Sequence, residues 1–222
     1  MHIVDLPNWA VTRGRVLNRF DAVDPARTAL VAVDMQNVFL APNEVFGNPN
    51  ALEIVPQVNR MAAAMRAAGG SVIWLRQTVS HAAPLAMPEW QYDLSIPEVR
   101  RAVETMLAGS RSHALHPQMN VAPDDLVIDK YRYSAFLCPA GALQAALVAR
   151  GIEMLVIAGT LTNVCCEGTA RDGNMQGYKV IAVADAMATR TDAEHNAALL
   201  NLRLTFADVH DTNTVCTMLE AA

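Results

Sequence analysis

Three side chains with complementary chemistry each stand at the end of an apolar run of the sequence. The run 28–33 ends at Asp34, the run 126–130 ends at Lys130, and the run 154–158 leads through Gly159 and a short turn to Cys165. A carboxylate can take the thiol proton, an ammonium can hold negative charge on both groups, and the thiolate can then attack a substrate. These residue types predict a nucleophilic site if the fold brings them together.

Cys165 stands where the turn passes into a helix-forming stretch. Unpaired backbone N–H groups and the dipole at a helix start favour thiolate over thiol, which points to a nucleophile. Free cysteines are also among the most buried residues and often act only as small hydrophobes, so position alone leaves both interpretations open. The neighbouring Cys166 would point about 100° away on a helix, so both thiols cannot face one cleft.

The elements that must position these groups alternate along the chain. Strand-like runs are predicted at 28–34, 71–76, 126–130, 154–158, 179–184 and 206–210, and helices at 53–68, 140–150, 163–177 and 191–204. This alternation predicts an α/β fold, a single-domain three-layer α/β/α sandwich over 1–222 with a mostly parallel, Rossmann-like sheet of about six strands. In such a sheet the carboxyl ends of the strands share one edge, where ligands bind.

Two segments are less regular. Residues 1–27 are interpreted as an N-terminal arm that packs on the surface or on a neighbouring subunit. Residues 78–124 contain five prolines, and a long irregular insertion in a compact domain is usually functional. We expect 78–124 to cover the cleft, with a helix near 97–108.

Composition narrows the class of protein. The chain has 222 residues, 52% apolar and 18% charged, which suits one domain with a sizeable core. Its net charge of −5 with no basic cluster argues against nucleic-acid binding. The longest apolar runs fall well short of the ~20 residues that cross a bilayer, so no membrane partner is expected.

Cysteine usage and the N-terminus indicate the compartment. Cys138, Cys165, Cys166 and Cys216 have no disulfide-framework spacing, and the N-terminus lacks a basic segment followed by an apolar stretch. Both features favour a reducing, cytoplasmic location.

The sequence motifs around Asp34, Lys130 and Cys165 resemble those of the isochorismatase-like cysteine hydrolases. The matching pieces are residues 33–37 (Val-Asp-Met-Gln-Asn), Lys130 with 133–136 (Tyr-Ser-Ala-Phe), and Gly159 with Thr162, Asn163 and Cys165. The last piece is the most specific, and the resemblance extends over about 25–215 by the order of strands and helices. That family's pattern has its nucleophile six residues after the glycine, which selects Cys165 over Cys166.

The resemblance implies acyl transfer through a thioester with a Cys-Asp-Lys triad. Cys165 would attack an amide carbonyl, Asp34 would pass the proton to the departing amine and then activate water, and Lys130 would keep the carboxylate ionised. Family members stabilise the oxyanion with backbone N–H groups that correspond to those of Leu161 and Cys165. They also carry a cis peptide in this turn, here between Thr160 and Leu161.

Substrate-binding residues are expected after the three catalytic positions and in the insertion. The candidates are Gln36, Asn37, Phe39, Trp90, Tyr131, Tyr133, Phe136 and Asn163. Cys138 could also reach the rim of the cleft, although a loop cysteine without chemical consequence is the commoner case.

No metal or other cofactor is expected. Nicotinamidase-like members of the family carry an Asp-x-His pair and a further His after the second strand. The corresponding segment 76–84 has only His81 and no carboxylate beside it.

Three functions are compatible with these motifs. The segments around Asp34, Lys130 and Cys165 look most like those of ureidoacrylate amidohydrolases and related ureide or amide hydrolases, so hydrolysis of a small linear amide or ureide C–N bond is the leading hypothesis. The alternatives are vinyl-ether hydrolysis of the isochorismatase type, which does not require the thiol, and a catalytically silent binding or scaffold protein. The expected partners are a small-molecule substrate and further copies of the chain, as a homodimer or homotetramer.

Overall fold

The computed structural model describes residues 1–14 and 16–222, in which six strands form one sheet. The strand order is β3-β2-β1-β4-β5-β6, and every pairing between neighbours is parallel. This order confirms the predicted Rossmann-like α/β fold. The strands are β1 (Thr28–Val33), β2 (Ser71–Gln77), β3 (Leu126–Lys130), β4 (Met154–Thr160), β5 (Lys179–Ala188) and β6 (Asp208–His210).

Eight α-helices accompany the sheet in the described part of the chain. They are α1 (Asn8–Gly14), α2 (Asn37–Leu40), α3 (Val55–Ala67), α4 (Pro97–Glu104), α5 (Ala142–Ala149), α6 (Glu167–Met175), α7 (Asp192–Asn201) and α8 (Thr212–Glu220).

The sheet has a hydrophobic core on each face. Leu30 and Ala32 of β1 pack with the apolar residues of α3 and α8. The alternate residues Ala29, Val31 and Val33 pack with those of α5, α6 and α7. Because successive side chains of a strand point to opposite faces, a wholly buried β1 requires helices on both sides of the sheet. The molecule therefore has three layers.

Two of the predicted helices contain a wider, π-helical turn. The predicted helix 163–177 starts as a five-residue π-helical turn, Thr162–Cys166, before α6. The predicted helix 191–204 becomes α7 followed by a second π-helical turn, Leu202–Phe206. Such turns are often found at functional sites, and the 3.6-residue periodicity of a sequence does not reveal them.

The two irregular segments both pack on the body of the protein. Within the arm, α1 lies against the Leu202–Phe206 turn, and His2 contacts Asp192, the first residue of α7. The insertion contains α4, which ends at Glu104 rather than at the predicted 108. Leu115 forms a bridge to Gln36, which ties the insertion to the loop that follows β1, and Leu107 forms a bridge to Val79 at the start of the insertion.

The strand order reverses between β1 and β4, and their carboxyl ends open a crevice there. Gly159 sits opposite Val33 in this pair and has φ +115°. A Cβ atom at Gly159 would lie 2.1 Å from the carbonyl oxygen of Val33. The crevice therefore requires glycine here for two separate reasons, the positive φ and the close approach of the β1 backbone.

Replacing Gly159 should destabilise the fold far more than replacing a glycine that has only a positive φ. Gly177 (φ +95°) has open space around its missing Cβ and serves as the matched control. We expect Gly177→Ala to lower the free energy of unfolding by about 1 kcal/mol. Gly159→Ala should lower it by about 3 kcal/mol or more, measured by urea denaturation, because a steric clash is added. Equal losses in the two variants would contradict the close packing of β1 on β4.

Candidate active site

Asp34 follows β1 directly and has an unusual backbone conformation. Its φ is +50°, in the left-handed region that few residues other than glycine, asparagine and aspartate adopt. Its N–H donates to the carbonyl of Leu75 in β2 (3.0 Å), and its own carbonyl accepts from Thr160 Oγ1 beyond Gly159 in β4 (2.9 Å). Strands on both sides of β1 thus hold Asp34 in this conformation, which turns its side chain under the crevice.

Lys130 is the last residue of β3 and is fully buried, as is Asp34. Its Nζ lies 2.8 Å from Asp34 Oδ2 and donates to Gln77 Oε1 (2.7 Å) and to the carbonyl of Arg132 (3.3 Å). The ammonium therefore has three oxygen partners, which offset the cost of burying its charge. The Asp34 carboxylate has the Lys130 ammonium, the Cys165 thiol and the backbone of Gln77 as hydrogen-bond partners. Because the group is buried, it accepts a proton more readily than an exposed carboxylate would.

Cys165 lies in the π-helical turn and is 5% exposed. Its thiol contacts both the Asp34 carboxyl and the Lys130 ammonium. Burial raises the pKa of the thiol to about 12; the Lys130 charge lowers it only in part, and the Asp34 charge raises it further. The sequence-based expectation that a helix start would favour the thiolate is therefore wrong for the resting site, because loss of hydration outweighs the helix start.

Burial also affects the pKa values of Asp34 and Lys130. Burial raises the pKa of Asp34 against the opposing attraction of Lys130. Burial disfavours the charged form of Lys130, but the attraction of Asp34 and Cys165 prevails and its pKa is raised. A thiol with a raised pKa thus faces a carboxyl group whose pKa is also raised, which makes that group a better proton acceptor than an exposed carboxylate. For the sulfur to act as a nucleophile, its proton must leave, and Asp34 is in contact to receive it.

A cavity of about 210 Å³ opens above the thiol, a volume that suits a small molecule. Two of its walls are the tyrosines Tyr92 and Tyr133. Burial and the adjoining Tyr133 hydroxyl raise the pKa of Tyr92, which therefore remains a neutral phenol. Tyr92 belongs to the segment 78–124, so this insertion contributes one residue to the cavity wall. The lining residues are Phe39, Phe46, Gln77, Tyr92, Tyr133, Leu161, Val164, Cys165 and Arg190.

Phe39 and Tyr133 are the predicted substrate-binding residues that line this cavity. Gln36 does not, because it is fully buried and its amide group is used in hydrogen bonds to the backbone of Gln77 and His113. The side-chain amide of Asn37 donates to the carbonyl of Arg111 in the insertion, and Asn37 does not line the cavity either.

The remaining candidates also lie outside the cavity lining. Phe136 packs against Tyr178 in the core, with ring centroids 5.7 Å apart. Asn163 accepts a hydrogen bond from the Thr189 hydroxyl. Trp90 is 83% exposed and lines a separate surface groove, and the half-buried Tyr131 and the buried Cys138 line neither.

Five lining residues were not predicted. Gln77 ends β2, so the rule that ligands bind at carboxyl ends of strands could have found it. Arg190 follows β5 by two residues and could have been found in the same way once β5 was known to extend to Ala188. Val164 directly precedes the predicted nucleophile, so its position beside Cys165 could have found it. Phe46 and Tyr92 lie in segments without a regular pattern of side chains, and the sequence carries no signal for them.

The turn between β4 and the nucleophile is tightly bonded. The N–H groups of Val164 and Cys166 both donate to the carbonyl of Leu161, at 3.2 and 3.1 Å. The peptide bond between Thr160 and Leu161 is cis. Both Leu161 and Cys165 line the cavity.

The described residues contain neither a cluster of metal ligands nor a helix able to span a membrane. His, Cys, Asp and Glu side chains form no group of three or more there that could hold a metal ion. None of the helices in 1–14 and 16–222 combines the length and the apolar character needed to span a bilayer.

The fold and site together define an α/β protein with a buried thiol, carboxylate and ammonium at the switch point of its sheet. The Isochorismatase domain family model matches residues 28–214, and the chain belongs to this family. It is 34% identical over 204 residues to a ureidoacrylate amidohydrolase, RutB, from Methylobacterium radiotolerans, with 86% of this chain and 78% of that protein covered. A RutB from Pseudomonas savastanoi pv. phaseolicola is 31% identical over 87% of this chain and 84% of its own length.

A solved structure agrees with these matches. A cysteine hydrolase from Pseudomonas syringae pv. phaseolicola is 30% identical and superposes with a TM-score of 0.82. The superposition covers 92% of this chain and 97% of that one. The family relationship thus extends across nearly the entire fold.

Because Asp34 and Lys130 form a buried ion pair, substitutions at these two positions should have non-additive effects on the free energy of unfolding. Lys130→Met keeps the side-chain stem but leaves Asp34 without its counter-charge, which should cost about 3–5 kcal/mol in urea denaturation. Adding Asp34→Asn removes the uncompensated charge, and asparagine tolerates a positive φ. The double variant should therefore be more stable than Lys130→Met by roughly 2 kcal/mol. A double variant that is less stable than Lys130→Met would contradict this account of the pair.

Proposed function

We propose that this protein is a cysteine-dependent hydrolase that cleaves the C–N bond of a small linear amide or ureide through a thioester intermediate. The observation that carries the proposal is the contact of the Cys165 thiol with an ion-paired carboxylate at the floor of a small cavity. A thiol in this setting has both a proton acceptor and space for a carbonyl carbon, as nucleophilic catalysis requires.

The reaction proceeds in two halves. The proton of Cys165 passes to Asp34 while the sulfur attacks the substrate carbonyl, and the tetrahedral intermediate then expels its amine, which takes the proton from Asp34. The acyl group remains on the sulfur as a thioester. Asp34 next removes a proton from water, whose oxygen attacks the thioester, and the proton returns to the departing sulfur. Lys130 stabilises the carboxylate form of Asp34 at the start of each half.

The negative charge that develops on the carbonyl oxygen needs hydrogen-bond donors. We assign this role to the backbone N–H groups of Leu161 and Cys165, which belong to the bonded turn beside the cavity. Donors fixed in a turn stabilise the oxyanion without reorganising during the reaction.

Features of the pocket support an anionic ureide as the substrate class. The related RutB proteins are named for ureidoacrylate, which joins a ureido group to a carboxylate. Arg190 brings a guanidinium to the cavity, and a guanidinium forms paired hydrogen bonds with a carboxylate. Vinyl-ether hydrolysis would make no use of the thiol, and a scaffold would have no need of a buried carboxylate able to accept a proton.

Loss of Cys165 should abolish turnover, whereas loss of its neighbour should not. We expect Cys165→Ala to lower the rate of ammonia release from small N-carbamoyl acids and amides by a factor of about 10³ or more. Cys166→Ala, which removes a fully buried thiol on the core side, is the matched control and should stay within about tenfold of wild type. The assay is coupled ammonia detection with purified protein. Equal turnover by wild type and Cys165→Ala on every compound would refute the proposed chemistry.

Arg190 should govern recognition of the substrate's carboxylate. Arg190→Met should raise KM for an N-carbamoyl acid by about 10- to 100-fold, the effect of losing a hydrogen-bonded ion pair, with kcat nearly unchanged. The corresponding N-carbamoyl amide, which has no carboxylate, serves as the control and should show similar kinetics with both proteins. A KM that changes equally for the two substrates would mean that Arg190 does not contact the carboxylate.

A further inference from the structure

The second residue of the chain contacts a segment near its other end. His2 is buried, and its Nδ1 lies 2.7 Å from Asp192 Oδ1. Its Nε2 lies 3.0 Å from both the backbone nitrogen and the carbonyl oxygen of Thr189. The N–H of Thr189 can donate only to a ring nitrogen that carries no hydrogen. In that tautomer Nδ1 carries the hydrogen and donates to Asp192.

The ring of His2 also stacks on His195 of α7. The ring centroids are 4.3 Å apart, and the planes are inclined by 14°. Burial, assisted by the neighbouring His2, lowers the pKa of His195 to about 4. His195 is therefore uncharged near neutral pH and stacks on His2 without charge repulsion.

Both neighbours of His2 hold the turn that carries the nucleophile. His195 Nδ1 lies 2.9 Å from Thr162 Oγ1, and Thr189 Oγ1 donates to Asn163 Oδ1 at 2.7 Å. Thr162 and Asn163 are the first two residues of the π-helical turn that contains Cys165. Two chains of contacts, one through His195 and one through Thr189, thus connect the N-terminal arm to the nucleophile turn.

We propose that His2 is a positioning residue for the reaction, which holds the Thr162–Cys166 turn in place from behind the site. This inference rests on the proposed function for its kinetic consequence, but its structural consequence is independent of substrate. Displacing a catalytic group by about 1 Å can cost up to 10²-fold in rate. An arm that fixes two consecutive residues of the turn therefore acts on the rate without touching the substrate.

The test compares two ways of perturbing the arm. His2→Phe keeps a ring that can stack on His195 but has no nitrogen for Thr189 or Asp192. Asn196→Ala is the matched control, because Asn196 pins the arm at Ile3 and Asp5 without contacting the turn. Amide hydrogen exchange of 161–166, alkylation of Cys165 by iodoacetamide, and kcat and KM are measured on the full-length variants.

We expect His2→Phe to lower kcat by about tenfold with KM within about twofold of wild type, since ordering of the turn affects chemistry more than binding. Exchange at 161–166 should accelerate, and the alkylation rate of Cys165 should change. Asn196→Ala should lower Tm to a similar extent and leave all these quantities near the wild-type values. His2→Gln, which restores an acceptor for the Thr189 N–H, should recover most of kcat.

A second variant reaches the turn by another route if His2→Phe fails to fold. Thr189→Val removes only the hydroxyl bound to Asn163 and keeps the backbone contacts to His2, and it should show the same changes in exchange and kcat. Wild-type exchange at 161–166 in both His2→Phe and Thr189→Val would overturn the proposal, as would equal losses of kcat in His2→Phe and Asn196→Ala. A wild-type protein that hydrolyses no amide or ureide would refute the proposed function alone, because exchange and alkylation would still decide the role of His2.

Discussion

The structure of the site depends on one buried ion pair, that between Asp34 and Lys130. Two charges removed from water are costly, and they are tolerated here because the ammonium has three oxygen partners and the pair occupies the crevice between strands. The pair also sets the chemistry of its neighbour. Burial raises the pKa of Asp34 and the Lys130 charge opposes that rise, while burial raises the pKa of the neighbouring Cys165 thiol to about 12.

The sheet topology brings these groups together. Asp34, Gly159 and Lys130 come from three strands far apart in sequence, and the parallel arrangement places all their carboxyl ends at one edge. Gly159 allows β4 to approach β1, and hydrogen bonds from both neighbouring strands hold Asp34 in its left-handed conformation. Strain of this kind persists only where the surroundings determine it strongly, as is common at functional sites.

The sequence alone predicted the parts of this arrangement that follow from periodicity. Apolar runs located all six strands, and the polar residue at the end of a run identified Asp34 and Lys130. The sequence alone could not predict properties that arise only from packing. The raised pKa of Cys165 reflects the burial of its turn, and Tyr92 reaches the cavity from an irregular insertion. Gln36 stands two residues after Asp34 in sequence, yet its side chain is used in hydrogen bonds to the backbone and does not line the cavity.

Rapid-quench mass spectrometry with an N-carbamoyl acid would reveal whether Cys165 becomes covalently acylated during turnover. We expect a transient adduct of one carbamoyl group on the peptide that contains Cys165. It should form within the first turnover, disappear as substrate is consumed, and be absent from Asp34→Asn, which cannot accept the thiol proton. Steady turnover with no adduct on Cys165 at any time, under conditions that preserve thioesters, would contradict the account.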